Sequence, residues 1–325
     1  MTTRRRIIAA TCTVILAGLA PQAFAQGVFP SKPIRIIIPY APGGTTDIVG
    51  RRMGHKLAEA LGQPVVIENR TGANTAIGAD AVAKSPADGY TLLFTNDATF
   101  VLNPLLFPAL SYNVQRDFVP VAPVTYVALA LVVSADTPAN NLKELAAYAK
   151  GGKMAYGSFG AGSQPHLMGE MFKKLTHSDI VHVPYKGSSP AVTDVMGKQI
   201  LFTFPAFPTI QGHIASGKLK ALAVSGDKRV AQMPHVPTFT EAGFKDMDMG
   251  AWYAFLAPAG TPRDVVTKLN ASVNAILADK DFVEKNMTSQ GMVPMSSTPE
   301  QMGALIRSET ERMESFVQKS GAKVE

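Results

Sequence analysis

The sequence predicts an α/β protein in two lobes, each a mostly parallel sheet flanked by helices, joined by two crossover segments. Three observations carry that reading. β-Branched and apolar runs alternate with stretches of helical spacing. The runs amount to about nine or ten strands, more than one sheet of ordinary size holds. Two further apolar segments, Leu129–Ser134 and Ala251–Ala257, look like separate passages between two sheets. On that basis residues 26–128 together with 251–325 form a discontinuous first lobe and residues 129–250 the second, and two such crossovers let the lobes hinge.

Along the chain, Ile34-Arg35-Ile36-Ile37-Ile38, ended by Pro39, reads as a buried strand. Ile48, Val49, Arg52, Met53, Lys56, Leu57 and Leu61 then recur at helical spacing until Gly62 and Pro64 stop the helix. Val65-Val66-Ile67 is the next strand, about Thr75 to Lys84 the next helix, and Ser85-Pro86-Ala87-Asp88-Gly89 turns into the strand Tyr90–Thr95. The alternation resumes with helices at 141–150, 163–176, 188–197 and 209–217, and strands at 154–157, 180–183, 200–203 and 220–225. The last part is amphipathic helix at about 262–278, 281–289 and 298–318. There is no internal repeat and no low-complexity segment.

The composition excludes several classes of function. The 325 residues are 46% hydrophobic and 17% charged, with no run of five like charges, so neither a disordered tail nor a nucleic-acid arm is indicated. The formal charge of +6 is half a leader: Arg4, Arg5 and Arg6, an apolar stretch Ile7–Leu19 and the Ala23-Phe24-Ala25 pattern read as a signal peptide cut after Ala25. The apolar stretch is shorter than the roughly 20 residues that span a bilayer. Cleavage leaves 28 basic against 25 acidic residues and removes the single cysteine, Cys12. A body of about +3 without thiols supports no nucleic-acid partner, disulfide framework, thiolate nucleophile or Cys-based zinc site, and no metal or cofactor is expected.

Two loops could carry chemistry. Pro42-Gly43-Gly44-Thr45-Thr46-Asp47 lies between a strand and a helix, where parallel sheets open their ligand crevice. Thr45, Thr46 or Asp47 can cap the helix, and the first-turn N–H groups can take an anion. An ordinary tight turn would use the same residues. Gly157-Ser158-Phe159-Gly160-Ala161-Gly162-Ser163-Gln164-Pro165-His166 repeats the construction, with Ser163 placed as N-cap and His166 in the first turn, its imidazole kept neutral by the helix start. Two helix N-termini from two lobes could clamp one anion.

Other motifs fail on spacing: residue 165 is Pro, so G-x-G-x-x-G is absent, no Gly-Lys-Ser/Thr follows, and neither Ser158 nor Ser163 sits in a nucleophile elbow. Ser163 and His166 could be a nucleophile and base of an exported hydrolase, but capping explains them better. His177 and His182 are expected at the surface and a sheet edge. Trp252 and Tyr253 are expected to pack, a ligand-facing ring being the alternative.

These strings carry a resemblance. Ile38-Pro39-Tyr40-Ala41-Pro42-Gly43-Gly44-Thr45-Thr46-Asp47, then Glu68-Asn69-Arg70-Thr71-Gly72-Ala73-Asn74, Ser85-Pro86-Ala87-Asp88-Gly89-Tyr90, Tyr156-Gly157-Ser158 to His166, Val183-Pro184-Tyr185-Lys186-Gly187 and Ala257-Pro258-Ala259-Gly260-Thr261-Pro262 resemble the Bug family. Its members are TctC-like periplasmic solute-binding proteins of tripartite tricarboxylate transporters. The resemblance implies a type II-like periplasmic-binding-protein clamshell, not an enzyme. Such a clamshell holds a small carboxylate through backbone N–H groups, hydroxyls and water, and serves membrane permease subunits. A monomer is expected. The residues it marks are Tyr40, Pro42, Gly43, Gly44, Thr45, Thr46, Asp47, Asn96, Ser158, Gly160, Gly162, Ser163 and His166, with Tyr185 and Lys186 flanking the cleft.

Two departures bear on the ligand. Where many members place Asp and a small polar residue after the strand ending in Phe204, this chain has Pro205 and Ala206, then Phe207, which argues against an amino-acid ligand. The loop Thr95–Phe100 also lacks the Ser/Gly-rich form. Phe100, Phe204 and Phe207 therefore point to a mono- or dicarboxylate with an apolar or aromatic body. A sensory role with a membrane signalling protein would use the same binding chemistry.

Overall fold

The computed structural model describes residues 29–324, so the leader and its cleavage after Ala25 lie outside the described residues. The first sheet takes β1 (Ile34–Ile38), β2 (Val65–Asn69), β3 (Thr91–Asn96), β4 (Phe118–Val127), β10 (Ala251–Pro258) and β11 (Met292–Pro294), in the order β11-β4-β10-β3-β1-β2. The second takes β5 (Ala130–Ser134), β6 (Met154–Ser158), β7 (Ile180–Pro184), β8 (Phe202–Thr203) and β9 (Leu219–Val224), in the order β7-β6-β8-β5-β9. Both sheets are mixed. β1 pairs in parallel with β2 and β3, and β6 with β7 and β8, whereas β10 and β5 enter antiparallel to both their neighbours.

The expected crossover segments are thus interior strands, one in each sheet. The chain leaves the first sheet through Ala128 and Leu129. It returns through the stretch after Val224 that reaches β10 at Ala251. The two passages are tied together: Ser225 N–H donates to the Leu129 carbonyl at 2.8 Å and Leu129 N–H to Ser225 Oγ at 2.9 Å.

Apart from two single turns that the sequence did not announce, the helices follow the apolar spacing closely. They are α1 (Thr45–Leu61), α2 (Ala76–Ala83), two single turns α3 (Asn103–Leu106) and α4 (Val114–Asp117), α5 (Leu142–Ala149), α6 (Gln164–Thr176), α7 (Ser188–Met196), α8 (Phe207–Ala215), α9 (Arg263–Ala278), α10 (Lys280–Asn286) and α11 (Pro299–Ser320). α1 stops at Gly62 in the left-handed conformation, as Gly62 and Pro64 predict. α11 starts with a full capping box between Thr298 and Gln301. Its C-terminal end reaches the second-lobe segments, where the Lys319 carbonyl accepts from Lys174 Nζ at 3.1 Å and Lys319 Nζ meets Asp246 at 2.8 Å.

One long strand escapes the periodicity. β4 carries Pro120 and Pro123, which remove ladder donors and ordinarily argue against an interior strand. The structure accommodates them with two register shifts against β10, between Tyr253 and Ala254 and between Phe255 and Leu256. A π turn at Ala98–Leu102 after β3 is likewise unannounced by the sequence.

Tyr156, on β6, anchors the second lobe. Its ring is fully buried, stacked on Phe202 at 5.6 Å and on His182 at 5.1 Å, and its hydroxyl donates to Glu170 at 2.7 Å. Gly169 of α6 faces that ring so closely that an added Cβ would lie 1.9 Å from it. Gly169→Ala should gain about 1 kcal/mol of helix propensity yet lose about 1–3 kcal/mol to overpacking. A net lower urea midpoint is expected, and a raised one would contradict this packing.

Candidate functional site

The C-terminal ends of β1 and β3 in one sheet face those of β6, β7 and β8 in the other. Between them lies a small cavity. The first lobe lines it with Tyr40, Gly44, Thr45, Thr46, Asn96 and Tyr253, and the second with Phe159 and Ser188. No lining residue is charged. Its volume is about 10 Å³, about what one water needs.

The first loop meets expectation in place but not in its caps. Gly44 is the N-cap of α1 and no side chain caps it. A side chain at Gly44 would lie 2.6 Å from Ser188 Oγ, so the close approach of the two lobes requires glycine here. Asp47 is turned inward: its carboxylate accepts from Gly43 N–H at 3.0 Å, Asn69 Nδ2 at 2.9 Å and Arg51 Nε at 3.0 Å. Burial alone would raise this carboxyl, but the bonds from Arg51, Gly43 and Asn69 outweigh it and hold it below the usual range. Asp47 therefore shapes the loop, and Pro42 and Gly43 lie exposed outside the cavity.

Tyr40 donates to Asn96 Oδ1 at 2.8 Å, and burial, followed by the nearby Tyr253 and Asp97, pushes its phenol well above its ordinary value. Burial does the same for Tyr253, whose hydroxyl bonds Thr46 and Thr45. Both remain neutral donors at physiological pH. Thr45 Oγ1 meets Thr209 Oγ1 of α8 across the lobes at 2.8 Å, with Ser188 Oγ 3.4 Å from the same Thr209 oxygen. Ala41 N–H donates to the Lys186 carbonyl at 2.8 Å, a backbone contact between the two lobes.

The second loop differs more. Gly160 N–H is taken by Ser158 Oγ at 3.2 Å and Gly162 N–H by His166 Nδ1 at 3.0 Å, so these donors are spent within the loop. Ser163 is the N-cap of α6 by position, but its hydroxyl donates back to the Gly160 carbonyl at 2.7 Å and makes no cap bond. The atoms that a nucleophile and base would need are therefore engaged elsewhere. His182, expected as an edge residue, is the structural partner of the loop: its Nε2 is 2.7 Å from Ser158 Oγ and its ring stacks on His166 at 3.9 Å.

Several other expectations are corrected. Tyr185 points away, donating to Asp194 at 2.6 Å. Pro205 and Ala206 are buried, the Pro205 carbonyl accepting from Ala130 N–H at 2.8 Å and Ala206 serving as N-cap of α8. Phe100 and Phe204 are core, Phe100 packing edge-on to Trp252 at 4.7 Å and Phe204 against Phe202 at 5.5 Å. Phe207 is half-buried on the second-lobe core. Sequence reasoning missed Phe159, Ser188 and Thr209 as cleft residues, and for Tyr253 the alternative of a ligand-facing ring fits the cavity better than packing. Ser188 and Thr209 do open predicted helices, which was the available signal. Among the described residues, no cluster of His, Cys, Asp and Glu could hold a metal, and no helix is long and apolar enough to cross a membrane.

The histidine pair makes the loop acid-sensitive. Burial, then His166 and Lys173, pushes His182 down to about 3, and burial lowers His166 as well. Below the ordinary imidazole range, about 6.5, the unfolded chain binds protons that the folded loop refuses, so stability is full above that range and lost on acidification toward about 3. Thermal melts of the native chain should fall between about pH 7.5 and about pH 5. His182→Gln, which keeps an N–H for Ser158, should fall less. Equal slopes would remove the pair from the acid response.

Comparison with known proteins agrees with this architecture. A family model described as tripartite tricarboxylate transporter family receptor matches residues 49–322. Protein BugT of Bordetella pertussis is 38% identical over 314 residues, which cover 96% of this chain and 96% of BugT. Among solved structures, R. palustris Rpa4515 with adipate superposes with a TM-score of 0.87 at 33% identity, covering 91% of this chain and 100% of that one. MatC from Rhodopseudomonas palustris with bound malate superposes with a TM-score of 0.82 at 32% identity, covering 89% and 100%.

Proposed function

The chain belongs to the tripartite tricarboxylate transporter receptor family, the Bug or TctC-like periplasmic binding proteins, and from that premise we propose that it closes two lobes on a dicarboxylate with an apolar body and presents it to the permease subunits of such a transporter. The proteins of this family are receptors, not enzymes. The moving bodies are residues 26–128 with 251–325 and residues 129–250, a division supported by the membership of the two sheets. Export follows cleavage after Ala25, and the receptor works as a monomer.

One observation carries the reading: an uncharged cavity lined by hydroxyls, where α1 and α7 begin from opposite lobes. A carboxylate entering here would replace the Thr45–Thr209 hydroxyl pair by two charge-assisted bonds, with the first-turn N–H groups of α1 adding their dipoles. That difference between open and closed states is what lets a ligand favour closure. The space for about one water means that a dicarboxylate enters the open form and holds the lobes slightly wider. Tyr40, Phe159 and Tyr253 supply an apolar wall, so the adipate held by one relative is a better guide than the malate held by another.

The test is thermal shift against adipate, malate, citrate and aspartate. Adipate at about 100 times its Kd should add about 2.7 kcal/mol, several degrees in a chain of this size. Replacing both Thr45 and Thr209 by Ala should weaken it about ten-fold or more. A shift with citrate or aspartate and none with adipate would overturn the ligand class.

A further inference from the structure

Asp97 follows Asn96 at the end of β3, just before the π turn. Its side chain is 2% exposed, and neutral groups hold it. The side-chain amide of Gln164, the first residue of α6, donates to Oδ1, and the Trp252 N–H on β10 reaches the same oxygen at 3.4 Å. The charged groups facing it come from α11: Glu309, and Arg312, which is bound to Glu309 at 2.8 Å. Tyr40 just after β1, Tyr126 on β4 and Tyr253 on β10 complete its titratable surroundings, and burial keeps all three phenols protonated.

A carboxyl shut away from water with a second acid facing it is held at least cost as the neutral acid, although each N–H that donates to it favours the charged form. Burial first, then Glu309, pushes it well above the ordinary carboxyl range, against the smaller pull of the Trp252 N–H, its own N–H and Arg312. Gln164 belongs to the second lobe. When the lobes separate, its amide leaves and water enters, and a hydrated carboxyl ionises at neutral pH.

We propose that Asp97 is a positioning residue for lobe closure, gripping Gln164 as a neutral carboxylic acid in the closed form and ionising in the open form, so that each closure takes up one proton. This rests on the reading of two lobes that open and close, but not on the identity of the ligand. The sign follows: closure is favoured at low pH. Between the ordinary carboxyl range and that of the closed form, the closing equilibrium falls up to about ten-fold per pH unit.

The mature chain lacks cysteine, so the lobes can be locked. Thr45→Cys with Thr209→Cys places two thiols where hydroxyl oxygens stand 2.8 Å apart, and oxidation joins them. Infrared difference spectra between the oxidised and reduced forms at neutral pH should show the carbonyl stretch of one protonated carboxylic acid in the locked form only. Asp97→Asn in the locked protein should remove it. Gln164→Met, which leaves Asp97 in place, should shift it. No such band, a band that survives Asp97→Asn, or one present in both redox forms overturns the proposal while leaving carboxylate binding intact. Failure of the thiols to join removes the closed contact and both readings with it. A lack of adipate binding would end only the ligand reading.

Discussion

A cleft lined without a single charged side chain can attract an anion only through oriented dipoles, and much of this fold serves to aim them. Four helices, α1, α6, α7 and α8, begin where the two sheets face each other. Each start leaves backbone N–H groups without intrahelical partners and a partial positive charge. The parallel strand–helix units produce this automatically, because a helix that follows a strand begins at the strand's C-terminal end. What the sequence adds is small residues and hydroxyls at those starts: Gly44 and Thr45, Ser188, and Thr209. A larger residue at Gly44 would meet Ser188 and hold the lobes apart, so the cleft depends on the absence of a side chain as much as on the hydroxyls present.

The two lobes divide the work unequally. In the first, Asp47 gathers Gly43, Asn69 and Arg51 and leaves the α1 start facing the cavity. In the second, the glycine-rich loop consumes its own donors, with Ser158, His166 and His182 satisfying Gly160 and Gly162. That loop acts as a rigid frame, and the groups presented to the cavity come from beside it, Phe159 within the loop and Ser188 on α7. The symmetry of two Gly-rich strand-to-helix turns is therefore real in backbone layout and broken in chemistry.

This is also where sequence reading reached its limit. The β-branched runs, Gly62, the helix from about residue 298 and both loops were legible because strand period, helical spacing and turn residues are local properties. β4 was not, because Pro120 and Pro123 speak against a strand until bulges absorb them, and bulges are a property of the pairing with β10. Phe100 and Phe204 lie beside the expected crevice in sequence yet point into core, since the direction of a side chain at a strand end is settled by neighbours far along the chain. His182 and Tyr253 reversed the error: one looked like an edge residue and the other like packing, and each acquires its role only when a distant loop is brought against it.

Asp47 and Asp97 show how the same residue type can be used in opposite ways in one lobe. Both are almost fully buried. Asp47 has a guanidinium, an amide and a backbone N–H from its own lobe, so it stays ionised and its loop keeps one shape whether the lobes are open or closed. Within its own lobe Asp97 has only backbone N–H groups, its own and a long bond from Trp252, and its side-chain donor, Gln164, belongs to the other lobe. An acid satisfied from within contributes fixed geometry. An acid satisfied from across a hinge has two protonation states matched to two conformations, and that is the arrangement through which a binding protein's closure can depend on the acidity around it.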